Sequence, residues 1–188
     1  MTSTPKMKPW IDAIHAYTPG KSKLDGIAEP VKLSSNENPL GPSPKAIAAM
    51  GAIAGQAHRY PDGASVALRE AIADLHGLEA DRIVCGTGSD EILQLLALAY
   101  ASVGDEVLFA RNSFMVYPIA ARRAGATPVE AADSDYAADV DALLAAVTER
   151  TRIVYLANPN NPTGTLISGA EVRRLHAGLR SDIVFVYD

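Results

Sequence analysis

The stretch Arg152–Gly164, RIVYLANPNNPTG, decides how the rest of the chain is to be read. Its first half is a short apolar run, β-branched at Ile153 and Val154, of the length of a buried strand. Its second half, Asn158-Pro159-Asn160-Asn161-Pro162-Thr163-Gly164, carries two Asn-Pro steps within five residues. Each proline fixes its own φ and restricts the residue before it, so the loop is stiff. A bland turn needs one proline and one glycine, and this one has more. An asparagine amide fixed at a strand end can donate a hydrogen bond to a ligand oxygen.

Outward from that strand the same pattern repeats. Towards the N-terminus, helices expected at Val140–Val147, Val116–Ala124 and Asp90–Tyr100 alternate with the short runs TPVEA (127–131) and EVLFA (106–110). A further strand, RIVCG (82–86), follows a helix over Ser65–Leu75. Towards the C-terminus, a helix over Gly169–Gly178 leads to DIVFVYD (182–188). Short apolar strands spaced by amphipathic helices form βαβ units. The expected class is therefore α/β: a mostly parallel sheet with helices on both faces, incomplete at the C-terminus.

Residues 1–62 read differently. They are rich in proline and glycine, with YTPGKS, NENPLGPSP and RYPDG, and hold one helix that Ser43 caps and Pro44 opens. The division expected from composition is an arm with part of a small domain over 1–62 and a larger domain over 63–188.

Composition bounds the function. The net charge of −5 offers no footprint for nucleic acid or an anionic membrane surface. The single cysteine, Cys85, allows no disulfide within the chain and fits a reducing compartment. No apolar stretch reaches the ~18 residues of a membrane helix, and no apolar segment follows the first lysines as in a signal peptide. A cytoplasmic location is expected. The four histidines show no metal-ligand spacing, so no metal is expected.

Ligands of open α/β sheets sit beyond the carboxyl ends of the strands. After RIVC comes Gly86-Thr87-Gly88-Ser89-Asp90-Glu91, opening a helix whose free N–H groups suit a phosphate. A capped helix with Ser89 or Asp90 as N-cap is the alternative and needs no ligand. Phe114 follows EVLFA, either as a face for a planar ligand or as a core aromatic over the sheet edge. Asp188 ends the last strand, where a buried carboxylate calls for a cationic partner such as a protonated ring nitrogen. An anion cup, an aromatic face, an amide and a carboxylate can together hold a flat, phosphorylated pyridine.

At this point the chain resembles the fold-type I pyridoxal-phosphate aminotransferases, and within them the histidinol-phosphate aminotransferases. The motifs LSSNENPLGPSP, RYPDG, GTGSDEILQLL, SFMVY and NPNNPTG carry the resemblance, in the family's order from Tyr17 to Asp188. It implies pyridoxal 5′-phosphate as cofactor, with Gly88, Ser89 and Asp90 at its phosphate, Phe114 stacked on its ring, Asn161 donating to the phenolic oxygen and Asp188 at the ring nitrogen. It implies a homodimer in which Tyr60 reaches the neighbouring subunit's cofactor phosphate, with Tyr17 and Asn36 near the substrate. Asn112 stands where the family often has proline.

The implied reaction is amino transfer between histidinol phosphate (imidazole acetol phosphate as the oxo form) and 2-oxoglutarate or glutamate, in histidine biosynthesis. Every lysine lies between Lys6 and Lys45, whereas the family's Schiff-base lysine follows the aspartate. These residues are accordingly expected to be the N-terminal part of a longer polypeptide and, alone, to hold no catalytic residue and to be inactive. Lys45, just inside a helix, reads as a solvated surface residue. The rival readings are an aromatic-amino-acid aminotransferase or a threonine-phosphate decarboxylase of the same superfamily. From another class come a nucleotide-binding Rossmann-like module and a non-catalytic partner-binding module.

Overall fold

The computed structural model describes residues 5–15, 21, 23, 25–32 and 35–188. They form two compact units, one of Met1–His15 with Gly86–Asp188 and one of Ala16–Cys85. The units divide at 15/16 and 85/86, whereas composition alone suggested 62/63. In chain order the elements are α1 (Pro9–Asp12), α2 (Pro44–Ile53), α3 (Val66–His76), α4 (Gly88–Tyr100), β1 (Glu106–Ala110), α5 (Val116–Ala124) and β2 (Thr127–Ala131). Then come β3 (Asp133–Ser134), β4 (Ala137–Ala138), α6 (Val140–Ala145), β5 (Thr151–Leu156), α7 (Gly169–Gly178) and β6 (Val184–Tyr187). No helix among the described residues is long and apolar enough to cross a membrane.

The larger unit is built on a four-stranded sheet in the order β2-β1-β5-β6, with all neighbours parallel. The alternation of side chains along each strand sorts the core into two layers. Val107, Phe109, Ile153 and Tyr155 face one way and pack on Leu93 and Ala97 of α4 and on Tyr117, Ala120 and Ala121 of α5. Leu108, Val154 and Leu156 face the other way, onto Val140 and Leu143 of α6 and Leu175 of α7. Because both faces are covered, β1 and β5 read as continuous apolar runs rather than alternating ones. The two-sided parallel sheet expected from the sequence is the one observed.

The sheet order also locates a crevice. After β1 the chain crosses by α5 on one face to β2, and after β5 it crosses by α7 on the other face to β6. Neighbouring strands whose connections leave in opposite directions open a gap beyond their carboxyl ends, here between β1 and β5.

At the amino ends of the strands, Glu106 is buried at 4% exposure and takes an ion pair from Arg150 and a hydrogen bond from the Thr148 hydroxyl. The carboxylate thus enters the core fully partnered, as a buried charge must. Gly125 ends α5 at φ 86°, where a Cβ would stand 2.9 Å from Val103 and 3.3 Å from Trp10. That close approach seats α1 against α5.

Two expectations need correction, and one element went unforeseen. RIVCG is not a strand: a 3-10 turn covers Ala80–Arg82, Ile83 is extended, and Ile83–Gly86 lies outside both sheets. Its apolar residues carry strand propensity but not a ladder partner, and Val84 is 75% exposed. Asp188 is exposed rather than buried. The hairpin β3–β4 went unforeseen, because its turn residues, Asp135 and Tyr136, take the left-handed conformation (φ 50° and 62°) without a glycine to announce it.

In the smaller unit, Ser43 accepts the Ala46 N–H at 3.1 Å and caps α2, with Pro44 in the first turn, as expected. Lys45 is exposed there. Asp62 does the same work for α3, accepting from Ala64 at 3.0 Å and from Val66 at 2.8 Å. Those bonds hold its carboxyl below the usual aspartate range.

Candidate active site

The loops that leave β1 and β5 meet at the crevice. Asn160 donates from Nδ2 to the Asn112 carbonyl at 2.8 Å and to Thr163 Oγ1 at 2.7 Å. Its backbone closes the loop, with Asn160 N–H donating to Thr165 and Gly164 N–H donating to Asn160. Asn158, also buried, donates to the Ile167 carbonyl at 3.2 Å and accepts from the Ile167 N–H at 2.9 Å. Both Asn-Pro bonds, 158–159 and 161–162, are cis. Two of the three asparagines thus hold the loop, and the third, Asn161, is half-buried at the same turn.

The unforeseen hairpin props both loops. Asp133 Oδ2 accepts the Asn112 N–H at 3.0 Å, and the Tyr136 carbonyl accepts from Thr165 Oγ1 at 2.9 Å. This accounts for asparagine at 112, since a proline there would have no N–H to give.

Past Asn112 stands Phe114, half-buried, its ring edge-on to Tyr117 at 5.8 Å and 86°. Tyr117 is fully buried, and its hydroxyl donates to Asp188 Oδ2 at 2.7 Å. Burial first, and the Asp188 carboxylate beside it second, push the Tyr117 hydroxyl well above the usual phenol range. It therefore keeps its proton and acts as a donor. Asp188 itself extends the β5–β6 ladder, its N–H donating to Leu156 and its carbonyl accepting from Asn158, each at 2.9 Å. Its carboxylate is thus presented to solvent from a fixed backbone. Tyr117 was legible only as part of SFMVY; no spacing argument gave it a role.

The expected anion cup sits at the start of α4. Gly88 takes φ 78°, and the N-cap is Thr87, whose side chain makes no capping hydrogen bond. Ser89 and Asp90 fall inside the first turn, so the reading in which either caps the helix does not hold. Glu91 reaches back instead, accepting from the Thr87 N–H at 2.6 Å and the Thr87 hydroxyl at 2.8 Å, and this holds its carboxyl below the ordinary range. Gly88, Ser89 and Asp90 are exposed.

Two further expected residues lie in the smaller unit. Tyr60 is fully exposed on the loop before Asp62, and Asn36 is exposed in the left-handed conformation, φ 50°. Tyr17 lies outside the described residues.

The larger unit therefore carries a solvent-facing carboxylate and a half-buried ring that both meet Tyr117, together with a half-buried amide after β5 and an uncapped start of α4. Their donors and acceptors match a phosphorylated pyridine in kind.

The family model for aminotransferase class I and II matches residues 28–188. A histidinol-phosphate aminotransferase of Erythrobacter litoralis is 61% identical over 98% of this chain and 50% of its own length. One of Sphingopyxis alaskensis is 58% identical over 100% and 51%. Among solved structures, histidinol-phosphate aminotransferase of Sinorhizobium meliloti in complex with pyridoxal-5′-phosphate superposes with a TM-score of 0.84, covering 100% of this chain and 51% of that one. At 23% identity it shows the shared fold. A putative histidinol-phosphate aminotransferase of Erwinia carotovora atroseptica gives 0.79 at 32% identity, over 92% and 49%. The chain spans about half the length of the curated relatives it matches. On the strength of the match over 28–188, this chain belongs to the aminotransferase class I and II family.

Proposed function

We propose that the protein carrying this chain is a histidinol-phosphate aminotransferase of histidine biosynthesis, using pyridoxal 5′-phosphate. The observation that carries the cofactor assignment is Asp188, held at a strand end by Tyr117 with Phe114 beside the same ring. The substrate assignment rests on relatives of that name at 58–61% identity along the chain.

Bound in this site, pyridoxal phosphate supplies an electron sink for negative charge developing on the substrate. The chain's own residues make that possible in four ways. Asp188 keeps a proton on the ring nitrogen through a charge-assisted hydrogen bond. Phe114 covers one face of the ring and excludes water from it. The amides of Gly88, Ser89 and Asp90 take the phosphate at the positive end of α4. Asn161 donates to the phenolic oxygen. Tyr60 serves the cofactor phosphate of a second subunit in a homodimer, and Tyr17 and Asn36 line the substrate side. The group that moves the substrate proton is not among these residues, so the 188 residues alone are expected to show no turnover. The expected location is the cytoplasm.

The substrate is tested by comparing kcat/KM for histidinol phosphate and for phenylalanine, each with 2-oxoglutarate, in the protein that carries this chain. Histidinol phosphate should lead by more than about tenfold, a difference of some 1.4 kcal/mol in transition-state binding. Equal or reversed preference would point to the aromatic-amino-acid enzymes, and carbon dioxide release from threonine phosphate to the decarboxylase.

A further inference from the structure

Nothing in the reaction as outlined uses Tyr117, yet it is among the most constrained side chains of the fold. It is fully buried in the first turn of α5. One face of its ring stacks on Tyr155 at a centroid distance of 4.6 Å and an interplanar angle of 5°. Tyr155 is fully buried too, and its own hydroxyl is fixed by donation to the Leu93 carbonyl of α4 at 2.6 Å. Phe114 meets Tyr117 edge to face, and Phe109 lies tilted against it at 6.0 Å. A ring packed by three others has no other rotamer to visit. Its hydroxyl is consequently a donor fixed in space, and the acceptor it meets is Asp188 Oδ2.

An exposed aspartate at the end of a strand is otherwise free to turn about χ1 and χ2, and a carboxylate that turns spends little time in line with a ring nitrogen. With Oδ2 held, Oδ1 is the oxygen a pyridinium proton would meet. The same phenol ring also supports the edge of Phe114, so a single side chain orients the carboxylate at the ring nitrogen and the aromatic face over the ring.

We infer that Tyr117 is the positioning residue of this site: its immobilised hydroxyl fixes the Asp188 carboxylate for a ligand's pyridinium nitrogen, and Tyr155 fixes Tyr117. The inference rests on the phosphopyridine reading proposed above.

The test uses 4-deoxypyridoxine 5′-phosphate, which has no aldehyde and so cannot condense with surface lysines. Its absorption spectrum reports whether the ring nitrogen is protonated. The apo form of the protein that carries this chain is expected to bind it with the ring protonated. Tyr117→Phe keeps the aromatic stack and removes only the donor, so circular dichroism should be unchanged. Binding should weaken about tenfold, the effect of one hydrogen bond to a charged group. The pH at which the bound ring loses its proton should fall by about one unit. In an Asp188→Ala background, Tyr117→Phe should have no further effect on binding, because the two act through each other. Tyr155→Phe, which keeps the stack, gives a second variant and should shift the ring midpoint less than Tyr117→Phe does. Binding by the unaltered apo protein with an unchanged midpoint in Tyr117→Phe overturns this inference alone. An equal loss from Tyr117→Phe with and without Asp188 also overturns it, since the role would then be structural. Failure of the unaltered apo protein to bind overturns the phosphopyridine reading, and this inference with it.

Discussion

At the scale of single residues, three asparagines that look alike in NPNNPTG do different work. Asn158 and Asn160 are buried and spend their amides on the loop and on its neighbour, while Asn161 is half-buried. Asn160→Ala should therefore lower stability by about 1–3 kcal/mol, because it strands the Asn112 carbonyl and Thr163. Urea unfolding measures this, and an unchanged midpoint would refute the bracing role. Asn112→Pro should cost a similar amount, since it removes the N–H that Asp133 Oδ2 accepts. Asp133 Oδ1 is already buried without a partner, so the carboxylate has no spare contact to fall back on. A proline variant as stable as the original would show that the hairpin does not brace this loop. The placing of Asn161, Phe114 and Asp188 just past strands could be read from the sequence. The work of Asn112 and Tyr117 could not, because each depends on a residue distant in the chain, Asp133 and Asp188.

At the scale of elements, periodicity found the helices and strands of the parallel sheet to within a few residues. It failed in two places for physical reasons. RIVCG has a strand's composition, but pairing is a property of a neighbour and not of the segment. The β3–β4 hairpin has two-residue strands and a turn without glycine, too short and too plain to register in any window. The start of α4 was legible as a turn before a helix, yet its cap was misassigned, since Glu91 reaches back to Thr87 from within the helix. That tie has a pH dependence of known sign. A carboxyl whose pKa is lower folded than unfolded stabilises the fold above its unfolded value, and the contribution fades as pH falls through the folded one. Glu91 lies below its ordinary 4.5, with the Thr87 N–H as the largest cause and the Thr87 hydroxyl next. The Thr87 amide resonance should therefore titrate with a midpoint under 4.5, and Glu91→Gln should abolish the titration. A midpoint at or above that value would show that the bond does not form.

At the scale of the whole molecule, the order β2-β1-β5-β6 explains why so few residues suffice to assemble a site. Crossovers on opposite faces open one crevice, and three separated stretches of sequence end there: Asn112–Phe114, Asn158–Gly164 and Asp188. The sequence pattern supplied the parallel class, while the strand order needed the structure, because strand order is set by which faces the crossovers cover. We propose that this crevice receives a phosphorylated pyridine. An amide NMR titration of the apo protein that carries this chain with 4-deoxypyridoxine 5′-phosphate tests this most directly. Gly88–Asp90, Phe114, Asn161 and Asp188 should shift together along one binding curve, and Asp188→Ala should weaken that curve. Shifts confined to the lysine-bearing residues 6–45, or none at all, would contradict it.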